Sequence, residues 1–336
     1  MTRFDRRMVL SGGLALSAGG AGAACARGVS GEGSLLVDLG RGPDLEIELW
    51  PKDPPGAAGV ALSEHYVARE NPWGLPDRAA HEVMRPTLTL FRASRPDGSA
   101  LLIIPGGGYS WVVVEKEGFE GARYFSRLGA TVYVLKYRLP HQGWAAGPDT
   151  PLQDAQRAMR VIRARSAEDG VDPARVSVMG FSAGGHLAGS LATRFAASVY
   201  DPVDDADRRS ARPDLAALVY PVATMKPPYA HAGSRENLIG ARPAAERVEK
   251  YSLESAPPPD APPTWILHAS DDAAVPVENA LFVYRAFKDA GIPVSLHVFE
   301  RGGHGFGLRG IDDDPLRAWP ALYWRWAVSH FVHGGP

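Results

Sequence analysis

The chain has 336 residues, of which 45% are hydrophobic and 22% charged, a composition typical of a globular protein that buries a substantial core. Its formal net charge of −2 at pH 7 provides no general attraction to nucleic acid or to an anionic membrane. Cys25 is the one cysteine, so neither an intrachain disulfide nor a thiolate zinc site can form. The composition therefore argues against a nucleic-acid-binding protein and against a disulfide-bonded scaffold.

The first 26 residues have the features of an export signal. Arg6 and Arg7 precede a weakly apolar stretch, rich in Gly, Ala and Leu, that runs to about Ala26. Twin arginines before such a stretch resemble the bacterial twin-arginine signal, and the stretch is too short and too glycine-rich to span a bilayer. We therefore predict a signal peptide over residues 1–26 and a periplasmic or secreted protein without a membrane span. Lipid anchoring at Cys25 and a plain disordered start are the alternatives.

Strands dominate the first third of the remaining chain. Residues 45–49 alternate apolar and acidic side chains as a half-exposed strand does, and residues 87–91 form a second alternating strand. Residues 52–84 are rich in Pro and Gly without a clear period, which indicates a long surface arm. Residues 100–104 are apolar throughout, as expected of a strand buried on both faces.

From residue 105 onward, helices alternate with strands. The apolar spacing predicts helices around residues 119–128, 152–170, 187–192, 281–287 and 319–326, and strands over residues 131–137, 176–179, 215–220, 265–267 and 294–298. This alternation predicts a doubly wound, mainly parallel sheet with helices on both faces and the two early strands as its antiparallel edge. Residues 222–262 interrupt the rhythm, so we predict a lid insertion there, within a single domain over residues 27–336.

A nucleophile elbow is predicted at Gly-Phe-Ser-Ala-Gly, residues 180–184. An apolar strand precedes this G-x-S-x-G pattern and helical spacing of Leu187 and Leu191 follows it, which is the context that gives the pattern its meaning. Ser182 must take a strained backbone conformation, and the two glycines let the strand and the helix pass closely.

Two further polar residues complete a catalytic set. Ser182, Asp272 and His304 each follow a predicted strand, in the chain order Ser, Asp, His that α/β-hydrolases use. An imidazole can accept the serine proton, and a carboxylate can fix the imidazole's tautomer. Asp271 is the alternative acid, and Asp272 is preferred because it begins an Asp-x-x-Val-Pro spacing. Such a triad needs neither a metal nor an organic cofactor.

A glycine loop after the strand at residues 100–104 predicts an oxyanion hole. The backbone amides of Gly107, Gly108 and Ala183 would point at the oxygen that becomes negative in the tetrahedral intermediate. The loop lacks the patterns of phosphate-binding loops. Among the histidines, His186 is expected to pack beneath the nucleophile, whereas residues His231 and His268 are expected to be structural or on the surface.

The motifs together resemble a family of bacterial α/β-hydrolases described as acetylxylan or carbohydrate esterases, whose members are often labelled as xylanases. The resemblance runs from about Leu49 to Phe331 and is carried by residues 49–51, 105–109, 135–139, 180–188, 233–238, 268–276 and 302–306. Pro105 stands where many lipase-like relatives have histidine, which leaves the glycine amides untouched. The resemblance implies an α/β-hydrolase fold and deacetylation of plant cell-wall polysaccharide or oligosaccharide, whereas the spacing alone indicates only an acyl hydrolase.

The leading hypothesis is a secreted serine esterase for an oligosaccharide or small-molecule ester. The rings of Tyr109 and Trp111 are candidates to stack on a sugar, with core packing as the alternative, and Arg235 is a candidate substrate contact beside a lid salt bridge. A prolyl-oligopeptidase-type peptidase shares the elbow, but the chain has no room for a propeller before Leu101. A glycoside hydrolase needs two carboxylates that flank the sugar, which a Ser-Asp-His order does not explain. An inactive carbohydrate-binding hydrolase fold would not need an intact triad.

Overall fold

The computed structural model of the protein describes residues 37–255, 257–311 and 315–333, all within one compact unit over residues 33–336. The predicted signal peptide, with Cys25, lies outside the described residues. Within the described ranges no helix is long and apolar enough to cross a lipid bilayer.

Eight strands form the central sheet. In chain order the described strands are β1 (Leu45–Glu48), β2 (His65–Ala68), β3 (Arg78–His81), β4 (Thr87–Phe91), β5 (Ala100–Ile104), β6 (Thr131–Lys136), β7 (Val176–Phe181), β8 (Leu215–Val219), β9 (Thr264–Ala269) and β10 (Val294–Phe299). The large sheet has the order β1-β4-β6-β5-β7-β8-β9-β10. The strands from β6 to β10 are parallel, and β4 and β1 form an antiparallel edge beside β6. The predicted mainly parallel sheet with an early antiparallel edge is confirmed.

Helices cover both faces of this sheet. The described helices are α1 (Glu120–Leu128), α2 (Thr150–Ala164), α3 (Ser166–Asp169), α4 (Ala183–Arg194), α5 (Ala232–Ile239), α6 (Ala245–Tyr251), α7 (Glu278–Asp289) and α8 (Trp319–His333). Apolar side chains of α2, α4 and α7 join one core cluster, and those of α1 and α8 join a second cluster on the opposite face. In α2, Leu152, Ala155 and Met159 recur at helical spacing and are buried, which explains why this stretch forms an amphipathic helix.

The strand order reverses at β5, which pairs with β6 on one side and with β7 on the other. The loops that leave β5 and β7 therefore emerge side by side at the carboxyl edge of the sheet. This is the switch point at which open α/β sheets bind their ligands. The fold thus brings the glycine loop after β5 next to the Gly-Phe-Ser-Ala-Gly turn after β7.

The predicted surface arm, residues 52–84, contains a two-stranded antiparallel ribbon. Strands β2 and β3 pair with His65 opposite His81, and Ala80 of β3 also bridges to Val112. Each strand has only four residues and lies among prolines and glycines, so the sequence has no alternation of apolar and polar residues that would predict it. The arm is consequently tied to the segment that follows β5.

The insertion at residues 222–262, between β8 and β9, holds α5 and α6. Its first residues are core, since Val222, Ala223 and Met225 are buried. The side chain of Asn279, on α7, accepts hydrogen bonds from the amides of Ala223 and Thr224 and so anchors the beginning of the insertion to the main body.

Candidate active site

Ser182 lies between β7 and α4 with φ 52° and ψ −118°, a strained conformation for a residue with a side chain. The glycines on either side are required by packing. A Cβ on Gly180 would lie 2.7 Å from the Cβ of Ala188, and one on Gly184 would lie 2.6 Å from the carbonyl carbon of Pro105. At positions 180 and 184, strand β7, helix α4 and the loop after β5 therefore approach too closely for any residue that has a Cβ. This packing holds the serine hydroxyl at the carboxyl edge of the sheet.

The structure brings the three predicted catalytic side chains into one hydrogen-bonded row. The Ser182 Oγ lies 2.8 Å from the His304 Nε2, and the His304 Nδ1 lies 2.6 Å from the Asp272 Oδ2. Because Nδ1 faces a carboxylate, it carries the proton, and Nε2 is left to accept the hydrogen bond of the serine hydroxyl. Asp271 does not contact the ring: its Oδ1 accepts a 2.8 Å hydrogen bond from the Gly303 amide and so holds the loop that carries His304.

Asp272 is surrounded by hydrogen-bond donors. Its Oδ1 accepts from the amides of Ala274 and Val275, at 2.9 and 2.8 Å, and its Oδ2 lies 3.2 Å from the His268 Nε2 as well as facing His304. Burial by itself would raise the pKa of this carboxyl, but the hydrogen bonds from His268 and His304 hold the pKa well below its ordinary value. Asp272 is therefore ionised at neutral pH, as a residue that stabilises an imidazolium must be.

Three backbone amides near the serine, two in the glycine loop after β5 and one at the start of α4, are the predicted oxyanion donors. Gly107 and Gly108 have φ values of 126° and 64° and line the same cavity as Ser182 and His304. In the described part of the chain, the amides of Gly107, Gly108 and Ala183 have no hydrogen-bond acceptor. The Ala183 amide is also the first of α4, where the helix dipole is positive. This arrangement suits the stabilisation of an oxyanion on a substrate attacked by Ser182.

A cavity of about 310 Å³ opens over Ser182 and His304. Its other described lining residues come from the arm, the loop after β5, the insertion and the loop after β10; they are Arg69, Ser110, Trp111, Val113, Lys116, Glu117, His231, Gly233, Asn237 and Gly305. A second cavity of about 130 Å³ shares Lys116, His304 and Gly305 with the first and is walled by Trp73 and Arg309 among others. Among the described residues no group of three or more His, Cys, Asp or Glu side chains is arranged to hold a metal ion.

The predicted substrate contacts have different locations. Trp111 lines the cavity and is 37% exposed, so its ring is available to a ligand. Arg235 does not line either cavity; its Nε donates to the carbonyl of Met225 at 3.0 Å within the insertion. Its neighbour Asn237 reaches the site instead, because its Nδ2 donates to the Gly108 carbonyl at 2.9 Å and to the Ser110 Oγ at 2.6 Å.

Tyr109 requires a correction. It is 1% exposed, and its hydroxyl lies 2.7 Å from the His186 Nδ1, so the ring belongs to the core and offers no face to a sugar. The His186 Nε2 faces the Tyr251 carbonyl at 2.7 Å and carries the proton, which leaves Nδ1 to accept from the tyrosine. Burial lowers the pKa of His186 to about 4. His186 is thus a neutral packing residue on α4 beneath the nucleophile, in agreement with the prediction.

Two histidines lie nearer the chemistry than their sequence context indicates. His268, at the end of β9, is buried and directs its Nε2 at Asp272 and at the Val275 carbonyl. His231 lines the cavity, and its Nδ1 accepts from the Ser234 amide at the start of α5. Burial and the neighbouring His304 lower the pKa of His231. The position of His268 four residues before Asp272 is the one signal in the sequence that relates it to the triad.

Glu117 and Tyr220 connect the two halves of the site. The Glu117 Oε2 accepts from the Gly106 amide at 2.8 Å, and its Oε1 accepts from the Tyr220 hydroxyl at 3.0 Å. That hydroxyl in turn accepts from the Gly307 amide at 3.2 Å, and the Tyr220 ring packs edge-on against His304. The glycine loop after β5 and the loop after β10 that carries His304 are therefore held in one hydrogen-bonded network. Glu117 lies on a single π-helical turn whose Glu-Lys-Glu-Gly sequence is typical of a solvated surface, so the sequence did not indicate its role.

Comparison with known sequences identifies relatives of this arrangement. The sequence profile of the alpha/beta hydrolase fold matches residues 101–308. The chain is 36% identical over 223 residues to endo-1,4-beta-xylanase B of Butyrivibrio fibrisolvens, which covers 65% of this chain and 34% of the relative. It is 33% identical over 226 residues to the acetylxylan esterase of Xylanibacter ruminicola, which covers 66% of this chain and 44% of the relative. The chain thus spans less than half the length of either relative.

A solved structure agrees over a larger share of the chain. The acetyl ester-xyloside bifunctional hydrolase from Caldicellulosiruptor lactoaceticus is 32% identical, with a TM-score of 0.69, over 87% of this chain and 98% of that one. A butyrate-bound esterase from Thermogutta terrifontis, at 23% identity and a TM-score of 0.59, covers 74% of this chain and 90% of its own and agrees in fold. These matches confirm the fold and the resemblance drawn from the motifs. The chain belongs to the α/β-hydrolase family.

Proposed function

We propose that the protein is a serine carboxylic-ester hydrolase that removes acetyl groups from xylan or xylo-oligosaccharides. The observation that carries this proposal is the hydrogen-bonded row of Ser182, His304 and Asp272 beneath a cavity that Gly107 and Gly108 also line; the amides of these glycines and of Ala183 have no hydrogen-bond acceptor among the described residues. The names of the related acetylxylan esterase and of the acetyl ester-xyloside hydrolase support the choice of substrate.

The reaction begins with the Ser182 Oγ attacking the ester carbonyl while its proton moves to the His304 Nε2. Asp272 stays ionised and stabilises the imidazolium that forms. The carbonyl oxygen becomes negative and accepts hydrogen bonds from the amides of Gly107, Gly108 and Ala183, an interaction that is strongest when the charge has developed.

Collapse of the tetrahedral intermediate breaks the bond to the sugar oxygen, which takes the proton from His304. The acetyl group is then bound to the Ser182 Oγ as an ester. His304 removes a proton from an incoming water, the resulting hydroxide attacks the acyl carbon, and a second collapse releases acetic acid and restores the serine hydroxyl.

The cavity has features that fit a sugar ester. Its volume of about 310 Å³ is at the small end of the range for small-molecule sites, which favours a short acyl group. The exposed ring of Trp111 provides a flat apolar face on which a pyranose can stack. Glu117 is the one carboxylate among the described lining residues, and its oxygens are engaged by Gly106 and Tyr220, so a pair of carboxylates flanking a glycosidic bond is not formed there.

The test is the Ser182→Ala variant, with Ser190→Ala as its matched control. Ser190 is buried on α4, about two helical turns beyond Ser182, and it is not among the residues that line the cavity. Ser182→Ala should lower the turnover of 4-nitrophenyl acetate and acetate release from acetylated xylo-oligosaccharides by roughly 10⁴-fold or more, while Ser190→Ala stays near the wild-type rate. Substantial turnover by Ser182→Ala would refute the proposal. Cleavage of 4-nitrophenyl xyloside that survives in Ser182→Ala would indicate a separate glycosidase.

We also propose that residues 1–26 direct export by the twin-arginine route, since the signal pattern motivates it. Expression in a bacterial host followed by fractionation and N-terminal sequencing tests this point. Replacing Arg6 and Arg7 by lysine should retain the protein in the cytoplasm. Equal periplasmic yield of the double variant would contradict twin-arginine export, and labelling of Cys25 by a lipid precursor would favour the lipoprotein alternative.

A further inference from the structure

We propose that the catalytic cleft contains a subsite for a carboxylate, formed by the ammonium group of Lys116 and the guanidinium group of Arg69. The inference rests on the proposed esterase function and narrows its substrate class. The favoured substrate would be an acetylated oligosaccharide that carries an acidic sugar.

Lys116 lies where the two cavities of the cleft meet. It lines the cavity over Ser182 and also the smaller cavity beyond His304. Its aliphatic stem runs along Gly307, since a Cβ built on that glycine would be 3.7 Å from the Lys116 Cγ and 3.9 Å from its Cε. The ammonium group lies over the ring of Trp73, which lines the smaller cavity together with His304.

No carboxylate among the described residues lies within ion-pair distance of the ammonium group, and the charges of Glu117 and Asp77 act on it from farther away. Over residues 37–255, 257–311 and 315–333 it makes no hydrogen bond or ion pair, and its close contact is the ring of Trp73, with the nitrogen 5.2 Å from the ring centroid. Glu117, the adjacent carboxylate, is already engaged by Gly106 and Tyr220. Burial lowers the pKa of Lys116. A half-buried cation without acceptors is unfavourable, and an anion in the cleft would relieve that cost.

Arg69 adds a second cation to the same cavity. Its guanidinium forms one long ion pair, 3.6 Å from an oxygen of Asp77, and makes no side-chain hydrogen bond within the described ranges. The other oxygen of Asp77 lies 3.8 Å from Arg309, which is also paired with Glu120. Asp77 is therefore shared between Arg69 and Arg309, whereas Glu120 faces Arg309. Beyond this one long ion pair, the guanidinium N–H groups of Arg69 have no acceptor among the described residues and can meet a ligand.

A carboxylate fits this pair of cations because charge-assisted hydrogen bonds to guanidinium and ammonium groups are strong and directional. Trp111 and Trp73 have exposed rings and each lines one of the two cavities that Lys116 also lines, so a sugar that carries the carboxylate can stack on a ring while its charge meets Lys116. The carboxylic acid released by the esterase is the other source of such a group in this cleft.

Lys116→Met tests the subsite because methionine keeps the apolar stem and removes the charge. The substrates are acetylated xylo-oligosaccharides with and without a hexuronic acid substituent, together with 4-nitrophenyl acetate. We expect the KM of Lys116→Met for the acidic oligosaccharide to rise about tenfold or more, with neutral esters changed by less than about twofold. Arg69→Gln should have the same selectivity. Lys288→Met, which removes an exposed charge on α7 outside the cleft, should behave as wild type.

Inhibition experiments separate the subsite from the proposed substrate. Glucuronate should inhibit the hydrolysis of 4-nitrophenyl acetate by the wild type more strongly than glucose does, and Lys116→Met should abolish that difference. This comparison tests the subsite even if the protein does not hydrolyse acetylated xylan. Failure to hydrolyse acetylated xylan would contradict only the proposed function. If acetate inhibits the wild type and not Lys116→Met while glucuronate acts like glucose, the subsite holds the product. Equal losses on all substrates, or no loss on any, would overturn the carboxylate subsite.

Discussion

The oxyanion loop offers a sharp test, because two adjacent glycines with positive φ face very different surroundings. A Cβ on Gly107 would lie 2.6 Å from the Cδ1 of the Trp111 ring and closer still to the Trp111 carbonyl oxygen. A Cβ on Gly108 would meet nothing nearer than the Ser234 Oγ at 3.8 Å. Gly107→Ala and Gly108→Ala therefore add the same methyl group to the same loop with opposite steric consequences.

The expected magnitudes follow from these distances. Carbon atoms in contact prefer a separation of about 3.5–4.0 Å, so in Gly107→Ala the loop or the Trp111 ring must move by about 1 Å. A displacement of about 1 Å can lower turnover about 10²-fold, and the loss of one oxyanion donor costs about 10²–10³-fold. In Gly108→Ala the methyl group has room, and the left-handed conformation costs roughly 1–2 kcal/mol of stability.

The assay is the steady-state hydrolysis of 4-nitrophenyl acetate, with thermal unfolding measured in parallel. Gly107→Ala should lower kcat at least about 10²-fold, whereas Gly108→Ala should keep kcat within about fivefold of wild type, with a reduced Tm. A Gly107→Ala variant with kcat near the wild-type value would refute the assignment of its amide to the oxyanion hole. Equal losses in both variants would show that the steric difference does not control the activity.

Three further predictions concern buried titratable groups. Asp272→Asn should lower the kcat for 4-nitrophenyl acetate roughly 10⁴-fold, because the amide favours the wrong imidazole tautomer. Asp271→Asn should change kcat little. Similar losses in the two variants would contradict the choice of Asp272 as the acid. Glu117→Gln should lower kcat about tenfold with KM nearly unchanged, since a weaker acceptor for the Gly106 amide loosens the glycine loop after β5. A rise in KM at constant kcat would instead place Glu117 in substrate binding. Since the pKa of His186 falls from 6.5 to about 4 on folding, the unfolded chain binds the proton first as the pH drops. The stability contributed by neutral His186 is then fully present above pH 6.5 and declines by about 3 kcal/mol towards pH 4. Urea unfolding across this range should show a shallower decline for His186→Gln, and parallel curves would contradict the reasoning.

The hydrogen-bonded row of Ser182, His304 and Asp272 could be predicted from the sequence, because both a local motif and the topology of the sheet indicate its positions. Ser182 is identified by a strand, a glycine-flanked turn and a helix that are contiguous in the chain. Asp272 and His304 follow β9 and β10, and parallel strands deliver their carboxyl ends to one edge of the sheet. The alternation of elements predicted the sheet for the same reason, since each helix must cover a face before the next parallel strand begins.

The surroundings of the row depend on distances that a sequence does not contain. Tyr109 has a φ of 60°, and this turn directs its ring at His186 and away from the cavity that its neighbour Trp111 lines. Glu117 is surrounded by other charged residues in sequence, yet the one π-helical turn carries it inward to the Gly106 amide. The strands β2 and β3 each have four residues and depend on pairing with each other, which composition and period do not encode.

The arm at residues 52–84 supplies two residues of the cleft wall from outside the segment that the family profile matches. Ser182, Asp272 and His304 lie within residues 101–308, the segment matched by the family profile, whereas Arg69 and Trp73 precede it. The proposed triad and these two residues of the cleft wall thus come from different stretches of the chain. The arm also reaches the segment after β5, because Ala80 bridges to Val112 and Arg78 pairs with Glu115, so replacing the whole arm would disturb that segment as well. Single substitutions of Arg69 or Trp73, in contrast, change the charge and the aromatic surface of the cleft at side chains that make no hydrogen bond to Ser182, Asp272 or His304.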